Sequence, residues 1–146
     1  MSSGGPDREV VGSRLAALGT TLSRLRKYSG RSLEEFREDL DGQWAAERGL
    51  RLRVQYALDL ASHLNAAYGR AAPDYTAAID GLAEHGILPS DFASRFRGIA
   101  GFRNALVHTS LKVDLEDVHR ALNERLDDFA EFLEHIQAWL ARSERA

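Results

Sequence analysis

A chain of 146 residues with 44% apolar and 28% charged residues has the size and composition of one soluble domain with one core. Its formal net charge of −3 gives nucleic acid no bulk attraction, so any RNA contact must come from a local basic patch. The lack of cysteine excludes a disulfide framework and a thiolate metal site, and no apolar run approaches the roughly 20 residues that span a bilayer.

The polar leader Met1-Ser2-Ser3-Gly4-Gly5-Pro6 has neither the basic nor the apolar region of a signal peptide. Residues 1–7 therefore read as a flexible leader and 8–142 as a single helical domain. A cytoplasmic protein with no membrane contact is the simplest reading. Val11, Leu15, Leu18, Leu22 and Leu25 step by three and four, which predicts a first helix from about Arg8 to Tyr28, stopped by Gly30. Ser32-Leu33-Glu34-Glu35 has the pattern of a capping box, in which serine oxygen and Glu35 carboxylate satisfy orphan N–H groups reciprocally. It opens a short helix carrying Phe36 and Leu40.

A long helix is predicted over 42–68, ended by Gly69, with Trp44, Leu50, Val54, Leu58, Ala61 and Leu64 on one side. Leu60 and Tyr56 widen its apolar surface, which places it centrally in a bundle. Pro73-Asp74 opens the next helix, with Tyr75, Ile79 and Leu82 inward and Gly86 as its stop. Pro89-Ser90-Asp91 opens another with Ser90 as N-cap, carrying Phe92, Phe96 and Ile99. From about Asp114 one last helix follows, its stripe running from Leu115 through Val118, Leu122, Leu126, Phe129, Leu133 and Ile136 to Leu140. Glu116, Glu124, Asp128 and Glu131 form a solvated acidic face opposite. The fold class is all-α, an antiparallel bundle of four to five helices whose aliphatic and aromatic interior needs no cofactor.

Between the last two helices lies Gly101-Phe102-Arg103-Asn104-Ala105-Leu106-Val107-His108. Arg103 carries a planar fork of donors suited to phosphate. His108 is the side-chain type whose proton equilibrium sits nearest neutrality. Together they could carry out phosphodiester chemistry without a metal. The alternative is structural: Arg103 paired with a carboxylate at the core edge and His108 satisfied near a helix end. A five-residue offset puts the two about 140° apart on a regular helix. They converge only across a bent helix end or in a cleft shared by two chains. Gly98 and Gly101 each cost about 1 kcal/mol in helix relative to alanine and permit close approach of a neighbouring helix or a second chain.

Other clusters are weaker. Glu116 and His119 have the spacing of a di-iron bundle ligand pair, but the second such pair is missing, so no metal is expected. Arg24, Arg26, Lys27 and Arg31 crowd the C-terminal end of the first helix, where cations meet the helix dipole favourably; the other reading is an RNA backbone contact. Asp59 and His63 are spaced to meet on the central helix as a structural pair.

The string Phe102 to His108 followed by Val113-Asp114 resembles the HEPN superfamily, and within it the HepT-like toxins, whose pattern is G-F-R-N-x-L-V-H-x-Y. Ser32-Leu33-Glu34-Glu35-Phe36, the segment Ala57 to Leu64, Tyr75, Leu82, Gly86-Ile87-Leu88 and the approach from Phe92 to Gly101 also match, so the resemblance runs from about Val10 to Leu140. It implies a homodimer of HEPN-like bundles with both motifs facing one cleft. It implies a metal-independent endoribonuclease toxin paired with a minimal nucleotidyltransferase antitoxin of the MntA type, which adds AMP to the motif tyrosine. On this resemblance Arg103, Asn104 and His108 are catalytic, Arg103, Ser110 and Lys112 bind RNA, no cofactor is required, and the product is a 2′,3′-cyclic phosphate. One position departs from the pattern. Ser110 stands where the tyrosine belongs, and Ser110 or Thr109 becomes the candidate for modification. An inactive partner module of a nucleotidyltransferase is the competing reading.

Overall fold

The computed structural model describes residues 7–100 and 114–145, with side chains as far as Ser143. All regular structure among them is helical: α1 Arg8–Leu25, α2 Leu33–Glu38, α3 Leu40–Ala67, α4 Tyr75–Glu84, α5 Ser90–Phe96, α6 Leu115–Glu124 and α7 Leu126–Arg145. Of the expected leader 1–7, residues 1–6 lie outside the described residues, whereas Asp7 belongs to the helix as the N-cap of α1, its carboxylate accepting from the Glu9 and Val10 amides at 3.0 and 3.3 Å.

Helix α3 is the axis. Leu50, Val54, Ala57, Leu58, Leu60, Ala61 and Leu64 are all buried on it, and α1, α2, α4, α6 and α7 pack around it. The leucine stripe of α1 is buried as its spacing requires. Helix α1 runs antiparallel to α7: Gly19 approaches Leu133 while Arg26 pairs with Asp127 at 3.4 Å. Helices α3 and α7 run in the same sense, with Arg53 over Phe129 and Tyr68 edge-on to Trp139. Helices α4 to α6 carry the chain back between them. At the centre of the aromatic core, Phe96 stacks on Phe92 and Phe132 and meets Phe129 edge-on, with centroids 4.8–5.1 Å apart.

The stops after α3 and α4 fall at the predicted glycines, Gly69 and Gly86. After α4, Gly86 has φ 74°, and the Ile87 and Gly86 amides bond back to Leu82 and Ala83 carbonyls at 2.8 and 3.0 Å, closing the helix end.

Several details differ from expectation. Helix α1 ends at Leu25, not Tyr28, and residues 26–30 form turns. The Ser32 oxygen accepts from the Glu35 amide at 3.1 Å, but the Glu35 carboxylate receives the serine hydroxyl instead of the Ser32 amide, so the capping box is half made. Leu40 does not belong to α2. It opens α3, where the Asp39 carboxylate accepts from the Gly42 amide at 2.9 Å and pairs with Arg31 at 2.8 Å. The Gly42 amide first, and then Arg31, hold the Asp39 carboxyl below its ordinary value. Trp44, expected on the buried side, is 64% exposed, and Leu40 is 57% exposed. Six residues before Leu50, Trp44 lies about 120° from it around the helix, so it falls off the buried stripe. Pro89 takes the N-cap of α5, its carbonyl accepting from Ala93, so Ser90 falls inside the first turn and makes no cap bond.

The predicted last helix is two helices, broken at Arg125 (φ −124°). The Arg125 carbonyl is turned onto the buried guanidinium of Arg53, with Nη1 donating at 3.2 Å. A side chain inserted into the helical ladder is a recognised cause of a sharp break.

Asn65 ties α3 to α4. It is fully buried, and its Nδ2 donates to the Ala61 and Ala78 carbonyls at 2.8 and 2.7 Å. A Cβ on Gly81 would lie 2.0 Å from Asn65 Oδ1. Because both bonds hold the amide in place, Gly81→Ala is expected to cost about 1–3 kcal/mol by overpacking. Thermal melts check this: an unchanged midpoint would mean the α3–α4 contact yields freely.

Candidate functional site

The motif from Gly101 to Val113 lies outside the described residues, and with it Arg103, Asn104, His108, Thr109, Ser110 and Lys112. What is described is the frame on either side. The approach ends at Ala100, which is buried and whose amide bonds to the Arg97 carbonyl at 3.3 Å. The exit begins at Asp114, which caps α6 by accepting from the Glu116 amide at 2.9 Å. The described chain thus reaches the motif from the aromatic core at α5 and resumes at the capped start of α6.

Cations crowd the approach. Arg95 reaches Asp128 at 3.7 Å and Glu131 at 3.6 Å on α7, and Arg97 reaches Asp80 on α4 at 3.2 Å. These pairs fasten the C-terminal end of α5 to its neighbours. They also show that Asp128 and Glu131, expected on a solvated acidic face, are partly covered and hold the approach in place. At Gly98 a Cβ would meet nothing within 4 Å among the described residues, so no described helix requires glycine there. Gly101 falls outside the described residues.

A small cavity of about 30 Å³ opens beside Gly98 and Ile99, walled by Arg53, Arg95, Asp128 and Phe129. Arg53 is 1% exposed, and its guanidinium carbon sits 4.2 Å from the Phe129 ring centroid. Burial, and then the nearby Arg125, push this guanidinium down to about 9, while Asp128 acts in the opposite direction. Arg53 therefore remains charged at neutral pH, with protein groups replacing water. The sequence reading overlooked it. The signal was present: an arginine at i+3 from Leu50 and i−4 from Ala57 sits in the buried stripe.

The weaker clusters separate. Asp59 accepts from Gln55 at 2.7 Å, and His63 Nε2 is buried with no hydrogen-bond partner among the described residues, so the expected Asp59–His63 pair is not made. The one-turn spacing that would join them serves Gln55 on the other side of Asp59 equally well. His119 donates from Nε2 to the Arg31 carbonyl at 2.7 Å, tying α6 to the turn before α2, while Glu116 is exposed. Of the basic cluster, Arg26 and Arg31 are paired with Asp127 and Asp39, and Arg31 lies over the Tyr28 ring. Arg24 and Lys27 remain exposed.

A model of the ribonuclease HepT-like family matches residues 18–136. The chain belongs to the HepT-like ribonuclease family. Among the relatives of this HepT-like protein, the tRNA nuclease HepT of Aphanizomenon flos-aquae is 27% identical over 133 residues, covering 90% of each chain. The mRNA nuclease HepT of Shewanella oneidensis is 21% identical over 131 residues, covering 89% of this chain and 98% of that protein. In three dimensions the fold matches the tri-AMPylated Shewanella oneidensis HEPN toxin, solved in complex with its MNT antitoxin, with a TM-score of 0.76 at 20% identity over 90% of this chain and 99% of that one. It also matches the Bacillus subtilis cytosolic protein YutE, of unknown function, with a TM-score of 0.79 at 17% identity, over 94% and 93% of the two chains. The all-α HEPN-like fold is thereby shown.

Proposed function

We propose that this HepT-like chain is a cytoplasmic, metal-independent endoribonuclease toxin, restrained by a minimal nucleotidyltransferase antitoxin like MntA. The observation that carries the proposal is the family match across residues 18–136, which spans the whole segment from Arg103 to His108. Relatives named as RNA nucleases and a fold neighbour bound to an antitoxin support the same reading.

The chemistry follows from the residue types. The ribose 2′-oxygen attacks phosphorus, and the 2′-O–P bond forms as the P–5′-O bond breaks. One proton leaves the 2′-hydroxyl and one reaches the departing 5′-oxygen; His108 carries one of these transfers as base or acid. Arg103 balances the charge that develops on the phosphate, with Asn104 orienting it. Lys112 and Ser110 contact the flanking RNA. Two chains pair as a homodimer with both motifs facing a common cleft, which overcomes the 140° offset of Arg103 and His108. The products are a 2′,3′-cyclic phosphate and a 5′-hydroxyl.

A single 2′-deoxy substitution at the scissile nucleotide is expected to abolish cleavage, and an excess of EDTA to leave it intact. Product-end analysis by mass spectrometry reads both. Cleavage of the deoxy substrate, or its loss in EDTA, would overturn the mechanism.

Ser110 favours a second reading, in which the chain is a weakly active partner of the nucleotidyltransferase. Expression without the antitoxin separates the two. Toxicity relieved by His108→Ala supports the enzyme, and harmless expression with tight co-purification of a nucleotidyltransferase supports the partner module.

A further inference from the structure

Six arginines described on this surface have a carboxylate beside them. Arg26, Arg31, Arg70, Arg95, Arg97 and Arg120 pair with Asp127, Asp39, Glu84, Asp128, Asp80 and Asp117. At one site, cations without such a partner come together. A concavity of about 280 Å³ lies where the end of α1 crosses the first half of α3, and it is lined by Arg24, Lys27 and Arg48 with no acidic residue. None of the three has an ion-pair partner among the described residues. In a chain of net charge −3, three unneutralised cations around one hollow form a local positive field.

The crossing that makes the hollow is built for close approach. A Cβ on Gly49 would fall 2.6 Å from Leu25 Cδ2, so glycine lets the two helices approach closely there without displacing that side chain. That contact brings Arg24 of α1 and Arg48 of α3 to the rim of one cavity. Trp44 lies one turn before Arg48 on α3, so the two side chains are surface neighbours. Its indole is 64% exposed and is the most exposed large apolar side chain described. A buried core does not account for it.

We propose that this hollow is an RNA-docking subsite apart from the catalytic motif, in which Arg24, Lys27 and Arg48 hold backbone phosphates and Trp44 stacks an unpaired base. This inference rests on the ribonuclease reading above. An exposed aromatic beside a carboxylate-free basic hollow is the arrangement that binds single-stranded nucleic acid, because every base offers a π-face and every linkage a charge. The contacts carry no base code, so the subsite supplies affinity and register, and the choice of scissile bond stays with the motif.

The test uses the full chain and a short fluorescein-labelled single-stranded RNA. Binding is read by anisotropy across a salt series in the His108→Ala background, which prevents turnover, and steady-state cleavage is read with the motif intact. Replacing Arg24, Lys27 and Arg48 together by glutamine is expected to weaken Kd at least tenfold. It should also lower the slope of log K against log salt by about 2, at about 0.7 per lost phosphate contact. Trp44→Ala is expected to weaken Kd about tenfold without changing the slope. Both variants should raise KM, leave kcat unchanged and melt like the parent. If the intact-motif protein cleaves RNA and the triple variant keeps its Kd, slope and KM, the subsite is refuted and the ribonuclease reading stands. If the triple variant instead loses only binding to a co-expressed nucleotidyltransferase, the hollow is a protein-docking surface and the proposal fails. If the parent neither binds nor cleaves RNA, both readings fail together.

Discussion

His108→Ala is expected to reduce RNA cleavage by about 10²–10⁴-fold while the protein folds and melts as before. The imidazole is the one group in the 101–113 segment that can both accept and release a proton near neutral pH. Without it, proton transfer to or from the reacting oxygens falls to water. The loss should lie in kcat, because Arg103 and the flanking contacts still bind RNA. His108→Gln should behave like alanine, since an amide donates a hydrogen bond but does not transfer a proton. Single-turnover cleavage at saturating protein measures this directly. Retention of more than about a tenth of the activity by either variant would remove His108 from the mechanism. The partner-module reading makes the opposite forecast, with His108→Ala leaving a feeble activity where it was.

The second large effect concerns stability and falls on Arg53. Arg53→Ala is expected to destabilise the fold by about 3 kcal/mol, as large-to-small changes in a packed core do. For a chain of this size that lowers Tm by roughly 10 °C. Three losses contribute: the stem's packing, the cation over Phe129 and the bond to the Arg125 carbonyl at the α6–α7 break. Working against them is relief of desolvation. Burial holds the guanidinium far below its ordinary range, at about 9, so the buried charge carries a penalty there. An apolar side chain of similar length keeps the volume and escapes the penalty, so Arg53→Met is expected to melt near the parent or above it. The pair of variants separates packing from charge. If methionine is as damaging as alanine, the guanidinium's polar contacts outweigh its desolvation. If alanine leaves Tm within about 2 °C, Arg53 does not hold the break.

The same residue shows where reading the sequence stops. Periodicity of leucines placed α1, α3 and α7 and the glycine stops between them, because a helix face and a left-handed terminus are local properties of the chain. It did not reveal that the last stripe is interrupted at Arg125. The stripe from Leu115 to Leu140 continues in phase across the break. What breaks the helix is a guanidinium 72 residues earlier in the chain. Trp44 shows that phase must be counted along the whole helix: it lies about 120° around α3 from Leu50, off the buried stripe, and so stays exposed.

For the candidate site, sequence alone determined the chemistry and the family. The order Arg103, Asn104, His108 and the matching segments from Ser32 to Val113 are covalent facts, and residue type sets what each group can do to a phosphate. Tertiary structure decided which charges are free to act. Arg26, a neighbour in sequence of Arg24 and Lys27, is paired with Asp127 from the far end of the chain, Arg31 is paired with Asp39 beyond α2, and Arg48 joins the unpaired two where α3 crosses the end of α1. Charge pairing and exposure depend on what the fold brings within a few ångströms, and spacing along a single helix does not record that.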